Sequence, residues 1–585
     1  MIETGTFPEF STHYPLLLTT LMKRPVQLYP HETGVVYRNQ STGLYFRFTW
    51  QEWYHRTCRL ANVLETVLGV KAGDRHQPGD RVATLALNTH RHLELYFAVP
   101  CMGATLHPVN VRLSHDHIVY TITHAEDKII FVDDILLPLV EAIYDRIRDT
   151  VETFVYMSDK PGLPETKIEN MVAYETLLES CSEAYEWPYL HEDTTATLCY
   201  TTGTTGLPKG AMFTHRALYL QSLHMIALGS FTNRPHFETT RSHLGENAIP
   251  MINTPMFHIH AWSAPFFSTF AANKLVLPGM FTVDGFCDLV QTEKVTHVGL
   301  VPTIIAMLLE YKDLHKYDLS SLIRVSVGGG ALPLGLKKKF EQILPNFRAI
   351  SGYGMTETAP TTVTAFVKKT MVDWSREKID EVQVKTGLPV PGIEVRVADR
   401  EGQPVPPDST AIGEIMVRGP WVMERYYKNP EKTAEVWRDG WFHTGDVATV
   451  DENGYITIAD RMSDVIRSGS EMVPTVLLEN LISLSDFVME ATVVGVPDTV
   501  WGEIPMAIVK LVPLASQTEW DIIDFLNKHG VDKGRITSWM LPKLIAITET
   551  IPKTSVGKYN KLEIRKNLDA YISRATDMTD RSRRD

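Results

Sequence analysis

Cysteine is scarce in this chain. The five present, Cys58, Cys101, Cys181, Cys199 and Cys287, lie far apart and form no CxxC pair. That usage belongs to a reducing compartment. An excess of positive charge is also missing. The formal net charge of −13 argues against a general nucleic-acid binder, which needs a basic surface, although local basic patches stay open. The N-terminal "MIETGTFPEF" has two glutamates and no basic region, so it does not read as a signal peptide. No run of about 18 apolar residues occurs, so no membrane span is expected, and the cytoplasm is the default location. Internal repeats and low-complexity tracts are absent too. The composition is that of an ordinary globular protein, 44% apolar and 22% charged. With 585 residues the chain exceeds one compact core, and its length points to roughly three or four core units.

Short β-rich runs alternate with longer helical patterns. "RVATLAL" from Arg81, "KIIFVDD" from Lys128, "KLVLPG" from Lys274, "VTHVGLVP" from Val295 and "IRVSVGGG" from Ile323 read as buried strands. Helical stretches such as "WYHRTCRLANVLETVLG" from Trp53 lie between such runs. The alternation predicts an α/β fold with mostly parallel sheets. From about Ile393 short alternating strands and turn residues predict a small β-rich unit. Near Asp460 a compact α/β pattern restarts. The tail "RATDMTDRSRRD" is polar and expected to fray. Residues 231–246, "FTNRPHFETTRSHLGE", read as a surface insertion.

One stretch stands out, "YTTGTTGLPKG" from Tyr200 to Gly210, led in by "ATLCY", which reads as a short buried strand. It combines five hydroxyl-bearing residues, three glycines and one lysine. A Gly-rich loop after a strand commonly receives phosphate, because N–H groups turn inward where no Cβ blocks them and hydroxyls add donors. Lysine supplies a point charge. The pattern is not a Walker A loop, whose lysine directly follows the second glycine; here Lys209 follows Pro208. Composition alone leaves phosphate binding and a solvated Thr/Gly turn both open.

Four further segments follow in order: "GGGALP" from Gly328, "SGYGMTET" from Ser351 to Thr358, "WFHTGD" from Trp441 to Asp446, and "IPKTSVGK" ending at Lys558. Together with the loop they resemble the signatures of the adenylate-forming superfamily, which holds acyl-CoA synthetases, firefly luciferases and peptide-synthetase adenylation domains. "LALNTHRHLELYFAVPCMGATLHPVNVRLS" from Leu85 also fits, so the resemblance covers nearly the whole chain. "PMFHIHAW" from Pro255, "KTGLPVPGIEVRVAD" from Lys385 and "VVGVPDTVWGEIP" from Val493 resemble medium- and long-chain fatty acyl-CoA synthetases of the AMP-forming kind.

The resemblance implies a large N-terminal AMP-binding domain over residues 1–460. It would be made of layered α/β subdomains with a β-rich subdomain at about 390–455. A small mobile α+β domain over 461–585 would follow. It implies two half-reactions. A carboxylate attacks the α-phosphate of ATP to give acyl-adenylate and pyrophosphate, and the thiol of coenzyme A then displaces AMP. The first half needs no strong base, since a carboxylic acid of pKa roughly 4 is already ionised at pH 7. It needs charge neutralisation, because an anion must approach a polyanion.

By the same resemblance, Thr201, Thr202, Gly203, Thr204 and Thr205, with Lys209, would cradle the β- and γ-phosphates. Glu357, with Thr202, would hold Mg²⁺, which takes oxygen ligands. Thr356 would donate to the α-phosphate, and Tyr353, within Ser351–Gly352–Tyr353–Gly354, would stack on adenine. Gly328, Gly329, Gly330 and Ala331 would offer backbone near purine and acyl group, where side chains would fill the pocket. Asp446 would accept both ribose hydroxyls, joined by Arg461. Two histidines, His258 and His260, without acidic or thiol partners nearby in sequence make a poor zinc site; the resemblance places His258 near the acyl carboxylate and makes Trp262 the gate of an acyl tunnel. Lys558 would bridge the reacting carboxylate and the α-phosphate, and could do so only when the C-terminal domain closes. For His258, Trp262 and Tyr353 core packing is the competing reading, and for Arg461 a surface ion pair.

Some positions depart from the family pattern. The hinge position is Ser463, where lysine or aspartate is usual. Ser470, Met472, Pro474 and Arg425 also differ. These changes cluster around the hinge and the loop expected to face CoA. Partners implied are a small carboxylic acid, ATP and CoA, with no nucleic acid; a homodimer stays open. Two other readings remain: an adenylating enzyme that loads a carrier-protein thiol in trans, and a non-catalytic nucleotide-binding relative. Retention of Glu357 and Lys558 argues against the last. The acid's identity and the net direction of the reaction are not legible.

Overall fold

The computed structural model describes residues 14–39, 42–201, 207–231, 247–344, 348–461, 464–468, 471–554 and 559–579. Among them the strands form four sheets. The fold is mixed α/β, with the two largest sheets, their helices and a five-stranded sheet in the N-terminal part and a six-stranded sheet with its own helices at the C-terminal end.

The first sheet has nine strands. Its centre is parallel, running Arg348–Gly354, Arg324–Val327, His297–Leu300, Pro250–Met251, Leu275–Leu277 and Thr33–Arg38. Antiparallel strands close its flanks, Tyr45–Thr49 on one side, Thr361–Thr364 and Leu388–Pro389 on the other. The second sheet runs Met171–Ala173, Thr153–Met157, Asp127–Asp133, Arg81–Leu85, Thr105–Pro108 and Thr195–Tyr200 in parallel, and Gly210–Thr214 is added antiparallel at the edge. Every residue of Thr195–Tyr200 is buried, as expected of a strand covered on both faces.

Helices join these sheets. Every residue of the helix His90–Cys101 is buried, and it touches strands of both sheets, so it has no solvent face for polar residues to mark. Its charged groups Arg91 and Glu94 are paired instead. Arg56 meets the fully buried Glu94 at 2.6 Å, and Arg91 meets Asp159 at 2.7 Å. The helix read from Trp53 begins earlier, at Trp50. Thr49 and Glu52 form a capping box there, which satisfies two N-terminal donors reciprocally. One apolar core runs from Trp50, Trp53 and Phe97 through Phe266 to Trp421 and Phe442, tying the β-rich region to both large sheets. The helix His215–Phe231 reaches the start of the segment read as an insertion; residues 232–246 lie outside the described residues.

The third sheet is antiparallel and has five strands: Glu394–Ala398, Gly413–Arg418, Trp441–Val450, Trp437–Arg438 and Ile456–Arg461. The fourth has six, centred on Val488–Asp498, Gly502–Leu511 and Leu544–Ile547. It packs on the helices Thr475–Ile482 and Glu519–Leu526 with a core of its own, including Ile466, Leu478, Val493, Val509 and Leu526. No helix among the described residues is long and apolar enough to cross a membrane.

Candidate active site

The phosphate-loop segment closes a hairpin. Tyr200 pairs with Gly210 across antiparallel strands, and Thr201 N–H donates to the Lys209 carbonyl at 2.8 Å. Lys209 N–H in turn donates to Thr201 Oγ1 at 3.4 Å. Thr202, Gly203, Thr204 and Thr205 lie outside the described residues, as do Ser463 and Lys558. The loop's two ends are held from behind. Tyr427 N–H donates to the Gly210 carbonyl at 2.7 Å, and the Tyr200 hydroxyl lies 2.7 Å from His124 Nδ1.

Glu357 sits in a short turn, Thr356–Thr358, just beyond the strand Arg348–Gly354. It is buried. Gly354 allows the chain to turn here, since a Cβ on it would stand 1.4 Å from the Pro360 carbonyl oxygen. The Tyr426 hydroxyl donates to Glu357 Oε1 at 2.7 Å, and the Glu357 carbonyl accepts from Met423 N–H at 2.8 Å. Lys209 Nζ stands 5.7 Å from the centre of the same Tyr426 ring. Burial pushes the Glu357 carboxyl up, against the pull of Tyr426 and Lys209. Burial and then Lys432 push the Lys209 ammonium down. One tyrosine therefore joins the lysine of the loop to the glutamate of "YGMTET". Thr356 is half-buried beside that glutamate.

The nucleoside candidates also meet. Tyr353 donates its hydroxyl to Asp446 Oδ2 at 2.6 Å, and Arg461 Nε lies 3.4 Å from Asp446 Oδ1. Asp446 and Arg461 are direct partners across two antiparallel strands, which fixes their approach. Burial, then the Asp446 carboxylate, holds the Tyr353 hydroxyl protonated well above its usual range. Arg461 is the exposed member of the trio, as a group open to a ligand or to water would be.

The third group surrounds Trp262. Its indole lies against two glycines: a Cβ on Gly299 or on Gly328 would meet the ring at 3.0 or 3.1 Å. The ring is carried on an unusual turn. Ile259, His260, Ala261, Trp262 and Ser263 have φ of 31, 52, 47, 58 and 62°. Non-glycine residues in this region cost about 1–2 kcal/mol each, and such strain gathers where surroundings over-determine the backbone. One such restraint is Ser263 Oγ, which donates to the Ala359 carbonyl at 3.0 Å, joining this turn to the Glu357 turn. His258 precedes the strained run and is half-buried. His260 is a core residue: it is fully buried, meets Thr197 Oγ1 at 2.9 Å, and burial pushes its pKa down to about 3. Gly329, at φ 76°, leads to Gly330 and Ala331, which are exposed. Ser351 is buried in the parallel sheet beside Val327, and Gly352 pairs with Thr364.

Tyr426 is the residue that reading the sequence missed. "RYYKNP" drew notice only for Arg425. The signal available was a second aromatic in a segment whose pairing partner, Ala211, immediately follows the loop. Among the described residues no cluster of His, Cys, Asp and Glu has a metal-binding arrangement of its own. For a cation held here, Glu357 is the buried carboxylate beside the phosphate loop.

The comparisons agree with one another. The AMP-binding enzyme model matches residues 22–427, and the AMP-binding enzyme C-terminal domain model matches residues 477–558. The chain is 39% identical over 573 residues to the long-chain-fatty-acid–CoA ligase of Thermus thermophilus, spanning 98% of this chain and 99% of the other. It is 32% identical over 554 residues to the 3-methylmercaptopropionyl-CoA ligase of Ruegeria lacuscaerulensis, spanning 94% and 97%. The crystal structure of ATP-bound MatB from Rhodopseudomonas palustris matches with a TM-score of 0.77 at 26% identity, over 94% of this chain and 99% of that one. The chain belongs to the AMP-binding enzymes, the adenylate-forming superfamily.

Proposed function

We propose that the chain is an AMP-forming acyl-CoA synthetase whose acid enters past Trp262. One observation carries the reading. Glu357, buried, and Lys209, half-buried, are drawn to one tyrosine at the mouth of the loop that matches the family's phosphate-binding signature. A catalyst that joins an anion to a polyanion needs cationic and metal-binding groups close together and partly dried.

The chemistry follows from that arrangement. A carboxylate oxygen of the acid attacks the α-phosphorus of ATP. The new bond is O–P, the α–β anhydride bond breaks, and pyrophosphate leaves with the electron pair. Lys209 and the loop donors would meet the negative charge of the outer phosphates. Glu357 and the loop threonines fit a hard divalent cation such as Mg²⁺, since they offer oxygen only. When bound, that ion neutralises phosphate charge. Asp446 and Arg461 offer an acceptor and a donor for the ribose, and Tyr353 an aromatic face for the base. In the second half the CoA thiol, losing its proton, attacks the acyl carbonyl, and AMP departs. Lys558 acts in the first half.

The substrate class proposed is an aliphatic acid. The two relatives above are named for a long-chain fatty acid and for a short thioether acid, and their common feature is a flexible chain. Both are named as CoA ligases, which favours CoA over a carrier protein as acceptor. Five cysteines, all free, fit a reducing compartment such as the cytoplasm. The test is a panel of acids of graded length, incubated with ATP, Mg²⁺ and CoA and analysed for products. AMP, pyrophosphate and acyl-CoA in equal amounts for at least one aliphatic acid support the reading. ADP and phosphate in their place refute it.

A further inference from the structure

Tyr426 has no role in the reaction as drawn so far, yet it meets two of its charged protein groups, Glu357 and Lys209. Its hydroxyl reaches Glu357 Oε1 at 2.7 Å, and both side chains are buried. Its ring presents a face to Lys209 Nζ at 5.7 Å. Its backbone is fixed independently. Tyr426 N–H donates to Thr433 Oγ1 at 3.0 Å, and the residue bridges to Ala211 of the strand that leaves the phosphate loop. The neighbouring Tyr427 N–H is held by Gly210. The backbone that carries the ring is therefore seated by Thr433 and the loop hairpin, independently of Glu357.

We infer that Tyr426 is a positioning residue that fixes Glu357 as a single-oxygen ligand and sets the place of Lys209. The inference rests on the proposed role of Glu357 in holding a divalent cation. A carboxylate with both oxygens free can rotate or bind a metal through either or both. With Oε1 accepting from a phenol, the carboxylate's rotation is restricted and Oε2 is the oxygen with more capacity left for a cation. Groups that orient a metal ligand in this way commonly change metal affinity by about 10- to 100-fold when removed. The ring has a separate task. A cation over an aromatic face is held without being neutralised, so Lys209 keeps its full charge for phosphate. A carboxylate partner in the same place would cancel it.

The two tasks separate by substitution. Tyr426→Phe removes the hydroxyl and keeps the ring; Tyr426→Leu removes both. The probe is Mn²⁺ with α,β-methylene-ATP, whose α–β bridge cannot be cleaved to transfer its adenylyl group, and Mn²⁺ binding to the full-length protein is followed by electron paramagnetic resonance. Tyr426→Phe should weaken Mn²⁺ by about 10-fold or more and leave the nucleotide affinity measured without metal unchanged. Tyr426→Leu should weaken metal-free nucleotide binding as well. The decisive arm is a double-mutant cycle with Glu357→Gln. If Tyr426 acts through Glu357, adding Tyr426→Phe to Glu357→Gln costs no further Mn²⁺ affinity. If the tyrosine is merely structural, it costs the same in both backgrounds, and the inference is overturned. It is overturned too if Tyr426→Phe binds Mn²⁺ as the parent does while Glu357→Gln does not. Should Glu357→Gln itself bind Mn²⁺ normally, the fault lies in the underlying assignment of Glu357, and the inference falls with it.

Discussion

Buried histidines set the acid limit of this molecule. Burial pushes His92, His215 and His224 down to about 4 and His260 to about 3. Each is neutral when folded and titrates near 6.5 when unfolded. Below about 6.5 the unfolded chain takes up protons that the folded chain refuses, so stability is lost as pH falls. Asp133, raised by burial to about 7, works the other way: its contribution is largest below the unfolded carboxylate range and is lost as pH rises through about 7. Burial also raises the carboxyls of Glu94, Asp127, Glu357 and Asp460, which offsets part of the loss at low pH, and lowers His90, which adds to it. Each histidine should cost about 1–2 kcal/mol by pH 5. The thermal midpoint should therefore fall steadily between pH 6.5 and 5, and a flat profile across that interval would count against these burials. Among single residues, those in contiguous motifs were readable from the sequence: Lys209, Glu357, Asp446. Tyr426 was not, because it reaches Glu357 from 69 positions away through strand pairing that no local pattern announces.

The central strands were legible as continuous apolar runs, since strands covered on both faces need no polar alternation. Their edges were not: nothing in "FTW" or "TTVTAF" distinguishes an antiparallel flank from a parallel neighbour. The left-handed turn at Ile259–Ser263 was the least legible feature, because it contains no glycine and its residues ordinarily take other conformations. Trp262→Ala tests what that strain maintains. Full removal of a core tryptophan costs about 3–5 kcal/mol; here the ring is only half-buried and rests on two glycines. The variant should lose less than that and should reorder the acids by size, read from thermal melting beside a substrate panel. A large stability loss with the ranking intact would return Trp262 to the core. Gly354→Ala probes the adjoining turn. The added methyl would overlap the Pro360 carbonyl, and overpacking of this severity should destabilise by about 3 kcal/mol or more. It should also displace Glu357, so adenylation should fall further than stability explains. Normal melting and normal activity together would show that the turn does not need its close approach.

At the scale of the molecule, the chain divides its chemistry between motifs far apart in sequence. The family models cover the large N-terminal part and a separate C-terminal stretch. The lysine assigned from sequence, Lys558, closes that second stretch. If it bridges carboxylate and α-phosphate only while adenylation proceeds, Lys558→Ala should slow that step by about 10²- to 10³-fold, the worth of one preorganised donor. Conversion of supplied acyl-adenylate and CoA to thioester should stay near normal. Equal collapse of both steps would mean that the two halves do not alternate, or that the lysine supports the fold. Beneath all of this stands one claim, that an acyl-adenylate forms before any thiol is involved. The direct measurement is exchange of labelled pyrophosphate into ATP, with Mg²⁺ and the best acid of the panel but without CoA. The account predicts rapid exchange that disappears when the acid is withheld. Thioester formation with CoA, but no exchange in its absence, would contradict it.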